Sequence, residues 1–112
     1  MCIFCKIADK TITAKVVFED DDLVAIHDLN PVAPVHVLII PKKHITGLGD
    51  ASPDDALLLG KLLTAARRVA EETCILNSGF RTVINHGAHA GQSVFHLHVH
   101  VIGGRAMAWP PG

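Results

Sequence analysis

The chain has 112 residues, 49% hydrophobic and 19% charged, a balance that excludes a disordered polymer and leaves room for one domain, residues 1–112, around one modest core. Its formal net charge of −1 and pI near 6.7 offer no basic footprint for a nucleic-acid polymer. No apolar run approaches the roughly 18 residues of a membrane span, and Lys6 comes too early for a signal sequence, so a cytoplasmic protein without a membrane partner is expected.

Residues 2–8 suit a short helical turn with Ile3, Phe4 and Ile7 on one side. Residues 14–19 and 23–28 read as two strands of a hairpin around Asp20-Asp21-Asp22. Asn30-Pro31 and Ala33-Pro34 then mark a loop. Residues 35–41 are almost continuously apolar, the pattern of a central strand covered on both faces, with His36 as its conspicuous polar member.

Ser52, Pro53, Asp54 and Asp55 read as a helix N-terminus. Leu58, Leu62, Ala65, Ala66 and Val69 continue an apolar stripe, with Arg67, Arg68, Glu71 and Glu72 on the wet side. This helix is expected to run to Asn77-Ser78-Gly79, with Cys74 inside it as a small buried hydrophobe. A strand over 80–85 follows, then a small-residue loop over 86–93 in which Gln92 and Ser93 supply hydrogen-bond donors.

The chain then enters His96-Leu97-His98-Val99-His100-Val101-Ile102. In a strand, alternation puts the three imidazoles on one face, neighbours about 6.6 Å apart, and Leu97, Val99 and Val101 on the other. Several strands with one long helix make an α+β domain with a mostly antiparallel sheet. The helix should cover one sheet face and the imidazoles line the other face or its edge.

Three cysteines are an odd number and do not suggest a disulfide framework. Cys2 and Cys5 have zinc-ligand spacing, although a zinc site needs two further ligands. The same spacing serves thioredoxin-like redox pairs, which sit in a βαβ context that this N-terminus lacks. His27, His86 and His89 lie outside the triplet and read as surface residues or residues behind the site.

The histidine stretch resembles the signature of the histidine triad (HIT) superfamily, His-φ-His-φ-His-φ-φ with φ apolar. Phe18-Glu19-Asp20, His27-Asp28, Ala33-Pro34-Val35-His36, Pro41-Lys42-Lys43-His44, Asn85 and Gly91-Gln92-Ser93 fall in family order. The ending Gly103-Gly104-Arg105 with Trp109-Pro110-Pro111-Gly112 is similar to the Hint branch, the purine nucleoside phosphoramidase type. The resemblance implies a five-stranded mostly antiparallel sheet with one long and one short helix, joined to a partner's in a homodimer of ten strands. Residues 103–112 would serve that dimer and its active site, with Trp109 reaching toward the other subunit.

The resemblance also implies a chemistry. His98 would attack the α-phosphate of a purine nucleoside 5′-phosphoramidate, forming a nucleotidyl-histidine and releasing an amine, and water would then free the nucleoside monophosphate. Ser93 and Gln92 would donate to phosphate oxygens or the leaving group, with Asn85 nearby. His100 and His36 would line the pocket for proton delivery or support. Asp28 would accept the ribose hydroxyls, and Ile3, Phe4, Ile7, Ile12 and Leu29 would form an apolar base slot that distinguishes purines poorly.

Relatives that combine a cysteine pair with two histidines imply Cys2, Cys5, His44 and His96 as a closed structural zinc site, with no metal required for catalysis. Two further activities fit the resemblance: a dinucleotide polyphosphate hydrolase or nucleotidyltransferase of another HIT branch, and a non-catalytic nucleotide-binding zinc adaptor.

Overall fold

Five strands form one antiparallel sheet in the order β1-β2-β3-β5-β4, in a computed structural model that describes residues 2–112. β1 (Val16–Glu19) and β2 (Leu23–His27) make the expected hairpin. Its turn closes because the Asp20 carboxylate accepts the Asp22 and Leu23 N–H groups at 2.8 and 3.0 Å. β3 (Val35–Pro41) lies at the centre, paired with β2 on one side and β5 (Val99–Gly103) on the other, and β4 (Phe80–Val83) is the outer partner of β5.

The two faces of the sheet carry different cores. Leu23, Ala25, Val37, Ile39, Leu97, Val99 and Val101 pack against Leu62, Ala65, Ala66, Val69 and Ala70 of α2 (Ala56–Glu72). On the opposite face Val24, Ile26, Leu38 and Ile40 pack with Phe4 of α1 (Ile3–Ala8), the expected short helix. Alternate residues of β2 and β3 serve the two cores in turn, so both strands are apolar apart from His27 and His36. Among the described residues no helix is long and apolar enough to cross a membrane.

Pro53–Asp55 form a 3₁₀ turn that leads into α2. There the Asp55 carboxylate accepts the Ser52 N–H at 2.9 Å and pairs with Lys43 at 2.6 Å, which holds its carboxyl below the usual range.

Several boundaries differ from the expectation: β1 starts at Val16 instead of residue 14 and β2 ends at His27 instead of residue 28. α2 ends at Glu72, because Cys74 adopts φ +64 and the Ile75 N–H returns to the Ala70 carbonyl at 2.9 Å. This is a left-handed helix cap built on cysteine instead of glycine, and it turns Ile75 into the core while leaving Cys74 exposed. β4 stops at Val83, short of Asn85. β5 begins only at Val99, since the preceding backbone bonds a loop instead of a strand: the Leu97 N–H donates to the Ile45 carbonyl at 2.6 Å.

Candidate active site and metal cluster

Side-chain alternation persists through residues 96–98 although the ladder does not. Leu97 belongs to the α2-side core, while His96 and His98 lie under Phe4, ring centroids 6.0 and 5.0 Å away in edge-on contacts. The imidazoles therefore share the α1-side face, and each is oriented by a different partner.

His96 is fully buried and its Nε2 lies 2.8 Å from the Pro41 carbonyl. A carbonyl only accepts, so Nε2 carries the hydrogen and the Nδ1 lone pair points away. Burial pushes this imidazole below its ordinary pKa and keeps it neutral. His98 has the opposite arrangement: its Nδ1–H donates to the carbonyl of His96 at 2.8 Å, leaving the Nε2 lone pair unengaged.

His36 accepts the Val32 N–H at Nδ1, at 3.2 Å, and so carries its hydrogen on Nε2. That hydrogen faces His100 Nδ1 at 2.8 Å and the Asp28 carboxylate at 3.3 Å. His100 in turn carries its own hydrogen on Nε2. Burial, with His98 and His36 as neighbours, lowers its pKa to about 4, so His100 is a neutral donor near pH 7. Asp28 is fixed from the other side by the Asn30 N–H at 2.7 Å. The donor atoms of Asp28, His36 and His100 lie within 4.8 Å of one another. Because His36 Nε2 is protonated, they form a hydrogen-bond relay and not a set of metal ligands.

A second cluster sits at the start of α1, where Cys2 caps the helix by accepting the Cys5 N–H. Cys2 Sγ, Cys5 Sγ, His44 Nδ1 and His96 Nδ1 are separated pairwise by 3.0 to 3.6 Å along all six edges. Four points so spaced define a near-regular tetrahedron whose centre is about 2.0 Å from each vertex, close to the roughly 2.0–2.3 Å of metal–nitrogen and metal–sulfur bonds. The donor chemistry fits as well: His96 Nδ1 is a lone pair by virtue of its Pro41 bond, and two thiols supply soft ligands. The four sequence-identified residues thus come together as a group that can hold a metal ion.

The loop before the histidines is shaped by Gln92. Its buried amide donates to the Thr46 and Val94 carbonyls at 2.8 and 3.2 Å and accepts the Gly87 N–H at 2.9 Å. Both N–H donors of the Gln92 amide are thereby engaged within the protein instead of facing phosphate, and the exposed Ser93 beside it is the hydroxyl available to a ligand. Asn85 is half-buried just beyond β4.

The five expected slot residues separate. Phe4 is buried, and Ile7 and Ile12 line a cavity of about 160 Å³ with Ala14, Val16 and Val24. Ile3 is half-exposed and Leu29 is 88% exposed. Ile26, absent from the sequence reading, packs with Phe4 two residues before Asp28. The i, i+2 spacing that puts both on one face was the available signal. Trp109 is 80% exposed, with the Arg81 guanidinium 5.9 Å from its ring centre and donating to the Ala108 carbonyl at 3.0 Å.

Comparison with known proteins agrees with this geometry. The family model described as HIT domain matches residues 9–107. A HIT-like protein of Synechocystis is 54% identical over 110 residues, covering 98% of this chain and 96% of that protein. Protein HitA of Neisseria gonorrhoeae is 48% identical over 102 residues, 91% of this chain and 94% of its own. Among solved structures, a HIT family hydrolase from Legionella pneumophila superposes with a TM-score of 0.98 at 47% identity, with complete coverage of both chains. A histidine triad protein from Clostridium difficile gives 0.92 at 40% identity, covering 96% of this chain and 93% of the other. With the triad, its relay and the sheet that carries them all in place, the chain belongs to the HIT family.

Proposed function

We propose that this protein is a hydrolase of the Hint type, which cleaves the P–N bond of purine nucleoside 5′-phosphoramidates. One observation carries the reading: His98 gives its Nδ1–H to a backbone carbonyl and keeps Nε2 unprotonated beside the neutral donor His100, the ring centres 5.0 Å apart. That is a nucleophile next to a hydrogen-bond donor. The hydrolase designation of the Legionella relative supports the reaction class.

In this mechanism Nε2 of His98 bonds to phosphorus and the P–N bond breaks with its electrons going to nitrogen. A water molecule held by the Nε2 hydrogen of the neutral His100 gives its proton to the departing nitrogen, so that the amine leaves and a hydroxide remains at the His100 donor. That hydroxide then attacks the nucleotidyl-histidine, forming the P–O bond as the bond from phosphorus to His98 Nε2 breaks with its electrons returning to nitrogen. Ser93 donates to the phosphate oxygens, with Asn85 nearby, and Gln92 holds the loop that presents Ser93. Asp28 receives the ribose hydroxyls, and the apolar surface around Phe4, Ile7 and Ile26 receives the base.

The tetrahedral cluster of Cys2, Cys5, His44 and His96 is read as a structural zinc site. With all four positions filled by protein it supplies folding energy and no catalytic water. Protein purified without chelator is expected to carry about one zinc per chain, and less than about 0.2 would sink this assignment. A cytoplasmic homodimer is proposed on the open edge of β4, where Arg81 ties down the C-terminal segment that carries Trp109.

The direct test is hydrolysis of an adenosine phosphoramidate with product analysis. The wild type should release AMP and amine, and His98→Ala should lose activity by about a thousandfold or more, as for removal of a covalent nucleophile. Wild-type turnover by His98→Ala would refute the mechanism.

A further inference from the structure

His86 belongs to neither the triad nor the metal cluster, yet it touches the turn that anchors both. Its Nδ1 accepts the Gly49 N–H at 3.1 Å. Its ring lies against the backbone of Gly47 and Gly49 so closely that a Cβ on either glycine would stand 2.6 Å from a ring nitrogen. The two glycines of Gly47-Leu48-Gly49 therefore make room for one imidazole.

The segment around this turn is a rail for the functional loop. Ile45 receives the Leu97 N–H, and Thr46 receives the Gln92 amide, so residues 92–97 are fastened along it. His86 fastens the opposite end of the same loop, and Gln92 Oε1 ties that end to its own side chain through Gly87 N–H. Ser93 lies exposed between these attachments with its placement left to the loop backbone.

We propose that His86 is a positioning residue of the active site, fixing through Gly49 the loop that presents Ser93 to the phosphate. The inference rests on the role given to Ser93 above. A loop loosened at His86 still binds nucleotide through Asp28 and the apolar surface, but it holds the Ser93 hydroxyl less firmly where transition-state charge develops. Loss of His86 then lowers kcat more than it weakens ground-state binding.

The test is a double-mutant cycle on adenosine phosphoramidate hydrolysis, with AMP affinity and thermal melting measured on every variant. His86→Leu should lower kcat about fivefold, the scale of one hydrogen bond, with AMP affinity within about twofold. His86→Asn, which keeps an acceptor near the position of Nδ1, should recover most of the loss. In a Ser93→Ala background His86→Leu should cost less than about twofold, since the residue it positions is gone. Gly49→Ala, which displaces the ring, should reproduce His86→Leu and keeps the proposal testable if that variant does not fold. Full additivity with Ser93→Ala, or wild-type kcat in both His86→Leu and Gly49→Ala, overturns the proposal. Wild-type activity in Ser93→Ala overturns the role of Ser93 itself and this inference with it.

Discussion

Acidification should destabilise this protein through His100, and the size of the effect follows from its position. An unfolded histidine titrates near 6.5, whereas burial in the relay lowers His100 to about 4 in the folded state. A histidine depressed on folding must lose its proton to fold, so its cost is negligible above pH 6.5 and grows as pH falls toward the folded value. Between pH 7 and 4.5 the difference reaches about 2 kcal/mol, taken as an upper bound because His100 is partly accessible. The assay is urea unfolding at both pH values for wild type and His100→Asn. The cysteine cluster is common to both proteins, so its contribution cancels in the comparison. The wild type should lose up to about 2 kcal/mol more than the variant on acidification. Equal losses, or a larger loss in His100→Asn, would refute the relay as drawn.

Leu97 is 1% exposed in the core beneath α2, and Leu97→Ala should destabilise the fold by about 2–5 kcal/mol in urea melts. Gln92→Leu leaves the Thr46 carbonyl and Gly87 N–H without their partners, at a cost of about 1–3 kcal/mol by the same measurement. Asp28→Asn should raise KM for a ribonucleotide substrate more than for its 2′-deoxy analogue, checked by paired steady-state kinetics. Cys5→Ser should lower metal content well below one zinc per chain while leaving the α2-side core, which it does not touch, cooperatively folded; metal analysis and melting test the two halves.

The face bearing the imidazoles was legible because alternation survives even where strand pairing fails. His96, Leu97 and His98 alternate correctly although β5 starts only at Val99. The entry to α2 was equally plain in Ser52-Pro53-Asp54-Asp55, whose residue types match the unsatisfied N–H groups of a helix start. Its exit was not. A left-handed cap normally announces itself with glycine, and here Cys74 occupies it, so nothing in the residue types marked the stop.

Within the site, residue types identified donors but not their direction. Gln92 faces inward because the loop carbonyls of Thr46 and Val94 need partners, a requirement that exists only once the loops meet. The tautomers of His36, His96 and His98 depend likewise on the backbone groups of Val32, Pro41 and His96, which lie four, fifty-five and two positions away. The roles of Ile26, which the sequence reading passed over, and Leu29, which stands in solvent, turn on which way β2 delivers the chain past His27.

The covalent intermediate is the central claim, and trapping it is the most direct test. A reaction with an adenosine phosphoramidate is quenched in base, digested and mapped by mass spectrometry. A nucleotidyl adduct is expected on His98, formed and lost at rates that support turnover, and none in His98→Ala. Turnover that proceeds with the adduct on another residue, or undiminished in His98→Ala, would contradict it.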